Sequence, residues 1–174
     1  MQPINPAFVQ LGYVTNDLGQ AADLFVQRGA VPGFHIWNGA EVHMKLYGNP
    51  ATAVLNLGFA WSGDTMIELI MPVAGATDHY RPGIEGPDFA LKLHHIGYGV
   101  DGTEADFDAK LAADMARGYP LVNISRASMG SYCLLDARQT YGHMIEYLWN
   151  NQGGLDFFAN IPRGPLFNQA LSLR

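Results

Sequence analysis

Polar and apolar positions alternate from residue 8 to residue 15, with Val9, Leu11 and Tyr13 on one face and Gln10, Gly12 and Val14 on the other, a period of two that predicts a strand. Asn16 and Asp17 offer an N-cap, after which Leu18, Ala21, Ala22 and Phe25 recur at helical spacing until Gly29 supplies a stop. Strand-like runs follow at 34–37, 53–59 and 65–71, divided by turns that carry Gly, Asn and Pro. The first unit, 7–72, therefore reads as strand, helix and three strands.

Between 73 and 92 neither period is sustained, because Gly75, Pro82, Gly83, Gly86 and Pro87 interrupt a polar stretch; this is read as a connection. The pattern restarts with an apolar strand from Leu93 to Val100. Thr103 and Asp106 then resemble a capping box, Phe107, Leu111 and Met115 form an apolar helical stripe, Arg117 complements the helix dipole, and Gly118 ends the helix. Runs at 121–125, 131–136 and 143–149 complete a second unit, 93–150, with the same order of elements. Gln10 and His95, and again Glu68 and Glu146, hold matching places at nearly one offset along the chain, the mark of an internal duplication. The tail, 151–174, carries Phe157, Phe158, Ile161 and Phe167 and is too apolar to stand free in water, so it is expected to pack on its own unit or on a neighbouring subunit.

Composition narrows the class. A chain of 174 residues that is 48% hydrophobic and 15% charged suits one compact α+β domain built from two small units. The net charge of -6 argues against nucleic acid and anionic membrane surfaces as partners, since both require clustered Lys and Arg. No apolar run approaches the ~20 residues of a membrane span, and the first residues lack the basic start and apolar stretch of a signal peptide, so a cytoplasmic location is expected. The single cysteine, Cys133, permits no internal disulfide; its apolar surroundings point to a buried thiol, and nothing nearby lowers its pKa to make it a nucleophile.

Each unit offers a donor on its first strand and a carboxylate on its last: Gln10 with Glu68, inside Met66-Ile67-Glu68-Leu69-Ile70, and His95 with Glu146, inside Met144-Ile145-Glu146-Tyr147-Leu148. A carboxylate among large apolar residues is costly to bury unless it is paired or binds a cation, although strand alternation can also turn it to water. Its recurrence at matched places favours the first reading. Two carboxylates, an imidazole and an amide oxygen form a mixed set suited to Zn, Ni, Co, Mn or Fe, with positions left for substrate. Such a centre suits removal of a proton next to a carbonyl, with a glutamate as base.

The openings Gln10-Leu-Gly-Tyr-Val-Thr-Asn-Asp17-Leu18 and Leu93-His-His95-Ile-Gly-Tyr, with the endings Ile67-Glu68-Leu69 and Gly142-His143-Met144-Ile145-Glu146, resemble the vicinal oxygen chelate superfamily. Within it the chain resembles the branch of glyoxalase I and methylmalonyl-CoA epimerase, over about residues 7 to 150. The resemblance implies two tandem βαβββ modules forming a curved mixed sheet around a divalent metal held by Gln10, Glu68, His95 and Glu146, with Glu146 or Glu68 as general base. It implies a small carbonyl or acyl thioester substrate and, since relatives build sites across subunit interfaces, a homodimer. The order Gln, Glu, His, Glu is similar to one form of glyoxalase I, whereas the text between the modules is at least as close to the epimerases, and no basic cluster marks a place for glutathione or CoA.

Alternatives within the resemblance are a metal-free module that sequesters a small molecule and an extradiol-type dioxygenase, the latter needing a second histidine at a ligand place. His94 is expected on the strand face opposite His95, in a structural hydrogen bond, and His143 on the face opposite Glu146. His35, His43 and His79 read as surface residues, and Trp37, Trp61 and Met44 as core or pocket wall.

Overall fold

The computed structural model describes residues 4–164, so the tail expectation at Phe167 lies outside the described residues. The elements are β1 (Val9–Thr15), α1 (Leu18–Gln27), β2 (His35–Leu46), β3 (Asn49–Ser62), β4 (Thr65–Gly75), β5 (Leu91–Gly99), α2 (Glu104–Ala116), β6 (Leu121–Ala127), β7 (Gly130–Leu135), the single turn α3 (Arg138–Tyr141), β8 (Met144–Asn150), α4 (Gln152–Ala159) and β9 (Arg163–Gly164). The two long helices begin as their caps dictate. Asp17 accepts from the Gln20 amide at the start of α1, and Thr103 and Asp106 form a reciprocal capping box at the start of α2.

All nine strands form one mixed sheet in the order β2-β6-β7-β8-β5-β1-β4-β3-β9, and β2 also pairs with β3, so the sheet closes on itself within one chain. β1 and β4 are parallel, as are β5 and β8, while β1 and β5 run antiparallel and join the halves. The second junction is short. Lys45 and Leu46 of β2 pair with Ile124 and Asn123 of β6, and Ser125 Oγ donates to the His43 carbonyl at 2.7 Å.

Closure gives the strands that carry the glutamates two covered faces. Leu18 and Ala21 of α1 pack with Ile67 and Leu69 on the outside of the first half, and Phe107 and Leu111 of α2 pack with Ile145 and Tyr147 on the outside of the second. The alternate positions Met66, Glu68 and Ile70, and Met144, Glu146 and Leu148, point inward by the period of two. That explains why both glutamates are flanked by apolar neighbours: the flanks cover the outer face and the glutamates address the interior.

The β2–β3 hairpin is much longer than the apolar runs suggest. The run that ends at Trp37 in the sequence continues through a bulge at Asn38-Gly39, where the register shifts between Trp37 and Ala40 and Gly39 takes φ 67°. The actual reversal is Tyr47-Gly48, with φ 49° and 84°, the left-handed pair required by a two-residue hairpin turn. Within the stretch read as a connection, β4 runs on to Gly75, a short 3-10 turn spans Asp78–Tyr80, and β5 begins at Leu91. The described part of the tail, 151–164, packs on its own chain: Phe158 and Ile161 join Phe8, Phe59 and Trp61 in one buried cluster, and Trp61 Nε1 donates to the Phe158 carbonyl at 2.9 Å.

Candidate metal centre

Gln10 of β1, Glu68 of β4, His95 of β5 and Glu146 of β8 lie on four neighbouring strands and meet inside the closed sheet. The register explains how. Gly12 pairs with both Glu68 and His95, and Gly97 pairs with both Gln10 and Glu146, so each glycine lies between two of the four side chains. Gln10 and Gly12 share a face of β1, and His95 and Gly97 share a face of β5. His95 Nε2 lies 3.3 Å from Glu68 Oε2 and 3.2 Å from Glu146 Oε2. Gln10 Nε2 lies 2.8 Å from Glu68 Oε2, 3.1 Å from Glu146 Oε2 and 3.3 Å from His95 Nε2. Gln10, His95 and Glu146 are buried, whereas Glu68 retains 12% side-chain exposure.

The electrostatics follow from burying two carboxylates together. Burial alone would lower the His95 pKa, but Glu146 and then Glu68 outweigh it and raise it to about 10. Burial pushes the Glu146 carboxyl up, against the opposing pull of His95. One imidazole thus faces two carboxyl groups in a largely buried cluster.

The donor set fits a divalent cation. One ligand atom from each of Glu68, His95 and Glu146 lies within 4.8 Å of the others, and the observed contacts near 3 Å match the spacing of adjacent ligands in an octahedral shell with bonds of ~2.1 Å. Gln10 Oε1 is buried without a hydrogen-bond partner. A half-turn of the amide presents that oxygen to the cluster in place of Nε2, completing an N/O set of the kind first-row divalent metals take. A doubly charged cation would also balance both carboxylates with His95 neutral.

The four side chains stand at one wall of a cavity of about 330 Å³. Leu55, Leu57, Phe59, Ile70, Leu148 and Phe158 supply apolar wall, and Glu41, Arg126 and Asn150 supply polar lining. Arg126 is held by Glu104 and Asp108, each at 2.5 Å. Tyr80 and Tyr132 also face this cavity, near enough for each to influence the other's hydroxyl. Burial raises both pKa values, for Tyr80 reinforced by Tyr132, Glu68 and Glu146 and for Tyr132 by Glu146 and Glu68. Both stay protonated and able to donate.

Sequence reasoning missed these tyrosines. Tyr132 was within reach, since it lies two residues from Leu134, the register partner of Glu146, and so shares its inward face. Tyr80 gave no signal because its stretch has no period. The expectations for two histidines need correction. His79 is buried rather than on the surface. His94 does not follow strict alternation: the register passes from Gly12–His95 to Tyr13–Leu93, leaving His94 as a bulged residue, and its Nδ1 lies 3.0 Å from His95 Nδ1. His143 Nδ1 lies 2.7 Å from the Met144 carbonyl. Trp61 and Met44 are buried core residues and Trp37 lines the cavity. Cys133 is buried, and burial pushes its thiol up to about 12.

The sheet and its outer helices share the vicinal oxygen chelate, glyoxalase-like fold with solved structures that include methylmalonyl-CoA epimerases. A variant of the Streptomyces coelicolor enzyme in complex with 2-nitronate-propionyl-CoA is 15% identical, with 86% of this chain and 99% of that one covered at a TM-score of 0.53. A methylmalonyl-CoA epimerase in complex with methylmalonyl-CoA and NH4+ is 16% identical, covering 84% and 95% at 0.52. The Mycobacterium tuberculosis enzyme is 13% identical, covering 87% and 92% at 0.51. No protein-family model and no curated protein matches the sequence. Among the described residues no helix is long and apolar enough to cross a membrane.

Proposed function

We propose that the chain is a metal-dependent enzyme of the glyoxalase and epimerase type, a lyase or isomerase that removes a proton from the carbon next to the carbonyl or thioester of a small substrate. The observation that carries this reading is the meeting of Gln10, Glu68, His95 and Glu146 in one buried cluster open to a cavity. The recurrence of strand, helix and three strands supports two tandem modules, 7–72 and 93–150, each contributing half of the cluster. A homodimer in the cytoplasm completes the reading, and no second subunit is needed to assemble the four side chains.

Gln10, Glu68, His95 and Glu146 would hold a divalent ion, which supplies Lewis acidity to a carbonyl oxygen and stabilises the charge that develops when the neighbouring C–H ionises. Glu146 is the proposed base: burial raises its carboxyl and so strengthens it as a proton acceptor. Glu68, the more exposed carboxylate, is the other base candidate and the one better placed to exchange a proton with solvent. Tyr80 and Tyr132 present neutral hydroxyls to the cavity, and the apolar wall keeps water from competing for the carbanionic carbon. The CoA esters held by the similar structures support an acyl thioester as substrate.

The apolar wall also suits a metal-free module that sequesters a small molecule. The dioxygenase alternative loses ground, because His94 turns its Nδ1 to His95 and its Nε2 to the His79 carbonyl instead of joining the cluster. Metal analysis of protein purified without chelator separates the readings: stoichiometric divalent metal is expected, and none favours sequestration. With an accepted substrate, Glu146→Gln is expected to abolish solvent-deuterium exchange at the acidic carbon; near-normal exchange removes Glu146 as base.

A further inference from the structure

Behind His95 lies a chain of hydrogen bonds that the proposed chemistry does not use. His94, 9% exposed, places its Nδ1 3.0 Å from His95 Nδ1 and its Nε2 3.0 Å from the His79 backbone carbonyl. A carbonyl can only accept, so His94 Nε2 carries a proton. The ring nitrogens of His94 meet only the His79 carbonyl and His95 Nδ1, whereas Glu68 and Glu146 both lie against His95 Nε2; a second proton on His94 would be a buried charge with no carboxylate beside it among the described residues. His94 is therefore neutral, and its Nδ1 is a bare acceptor. The contact between the two Nδ1 atoms then has one solution: His95 Nδ1–H donates and His94 Nδ1 accepts.

We propose that His94 is a positioning residue that keeps Nδ1 of His95 protonated and aims Nε2 of His95 at Gln10, Glu68 and Glu146, so that Nε2 is the nitrogen left to hold a cation. The bulge in β5 makes this possible, since regular alternation would separate adjacent side chains onto opposite faces. Only Nε2 would change its partner: it faces the two carboxylates, and a cation held there would take the place of a proton on Nε2 while Nδ1–H···Nδ1 stayed as it is. The consequence for metal affinity rests on the reading of the cluster as a cation site, whereas the protonation pattern is a property of the chain itself.

The test is long-range proton–nitrogen correlation of the histidine rings in nitrogen-15-labelled protein near pH 7, metal-free and with zinc. His94 is expected as the neutral Nε2–H form and His95 with Nδ1 protonated in both samples. A doubly protonated or Nδ1–H His94, or a bare His95 Nδ1, overturns the proposal without any variant. Zinc affinity, by competition with a chelating dye, is expected to fall about 10–100-fold in His94→Leu. It should recover largely in His94→Gln, whose amide can accept from His95 and donate to the His79 carbonyl. Leu111→Ala, in the cluster under α2, serves as a destabilised control; a loss in His94→Leu no greater than in this control overturns the proposal. If the parent binds no zinc, the metal reading fails, while the ring spectra of the metal-free protein still decide the role of His94.

Discussion

Gly12 pairs with His95 across β1 and β5, and the His95 imidazole lies over the space a side chain at Gly12 would fill. A Cβ built there would overlap Cε1 and Nε2 of the ring, and one built on Gly97 would lie 2.9 Å from Glu146 Oε2. The glycines that follow Leu11 and Ile96 thus make room for the cluster. Gly12→Ala is expected to displace His95, lowering stability by about 1–3 kcal/mol and abolishing stoichiometric metal binding while circular dichroism stays native. Retention of metal at full stoichiometry would show that the ring has another seat.

If a cation sits among Glu68, His95 and Glu146, its removal should be felt as lost stability. At a free metal concentration 100 times the dissociation constant, binding adds about 2.7 kcal/mol. Chelation is expected to lower the thermal midpoint by several degrees, and zinc or manganese to restore it in the parent but not in Glu146→Gln. Identical midpoints with and without chelator would argue against a resident metal.

Much of this was legible from period and punctuation. The alternation around Gln10, the N-cap Asp17, the Thr103–Asp106 box and the stops at Gly29 and Gly118 are local signals, and α1 and α2 form where those signals lie. Glu68 and Glu146 stood out because a polar residue amid apolar ones breaks the pattern, and the closed sheet supplies the interior they address. What local signals cannot carry is a bulge. The strand run in the sequence ends at Trp37, before Asn38-Gly39, yet pairing with β3 carries the strand through these residues. His94 was assigned by strict alternation to the face away from His95, and a single extra residue in β5 undoes that count. His79 and Tyr80 lie in a stretch without period, so their burial follows only from tertiary packing.

The stability of the metal-free protein should depend on pH in both directions. The His95 pKa is about 10, above the ordinary 6.5, because Glu146 and Glu68 outweigh burial; its contribution is full below pH 6.5 and lost as pH rises through 10. Burial lowers His79 to about 4 and His94 to about 3. Their contributions are full above pH 6.5 and lost as pH falls toward those values. Glu146, raised by burial, offsets part of the acid loss because its contribution is greatest at low pH. The thermal midpoint of chelated protein is therefore expected to peak near pH 6.5. With zinc bound, the alkaline fall should flatten, since a cation rather than the His95 proton then faces the carboxylates. An alkaline limb equally steep in both forms would mean that His95 is not the group responsible.

Tyr132 and Tyr80 offer the cleanest separation of catalysis from metal binding. Both line the cavity, and burial, with the nearby glutamates, keeps both hydroxyls protonated. A neutral donor already held at the cavity wall can serve a developing oxyanion at little reorganisation cost. Tyr132→Phe removes one hydroxyl without changing the ring that fills the wall, so metal stoichiometry should hold and stability should change by no more than about 1 kcal/mol. Turnover of an accepted substrate is expected to fall on the order of 100-fold, with less effect on KM. Steady-state kinetics of Tyr132→Phe and Tyr80→Phe decide the matter: a loss confined to KM assigns the pair to substrate binding, and full turnover in both variants leaves the pair a structural role alone.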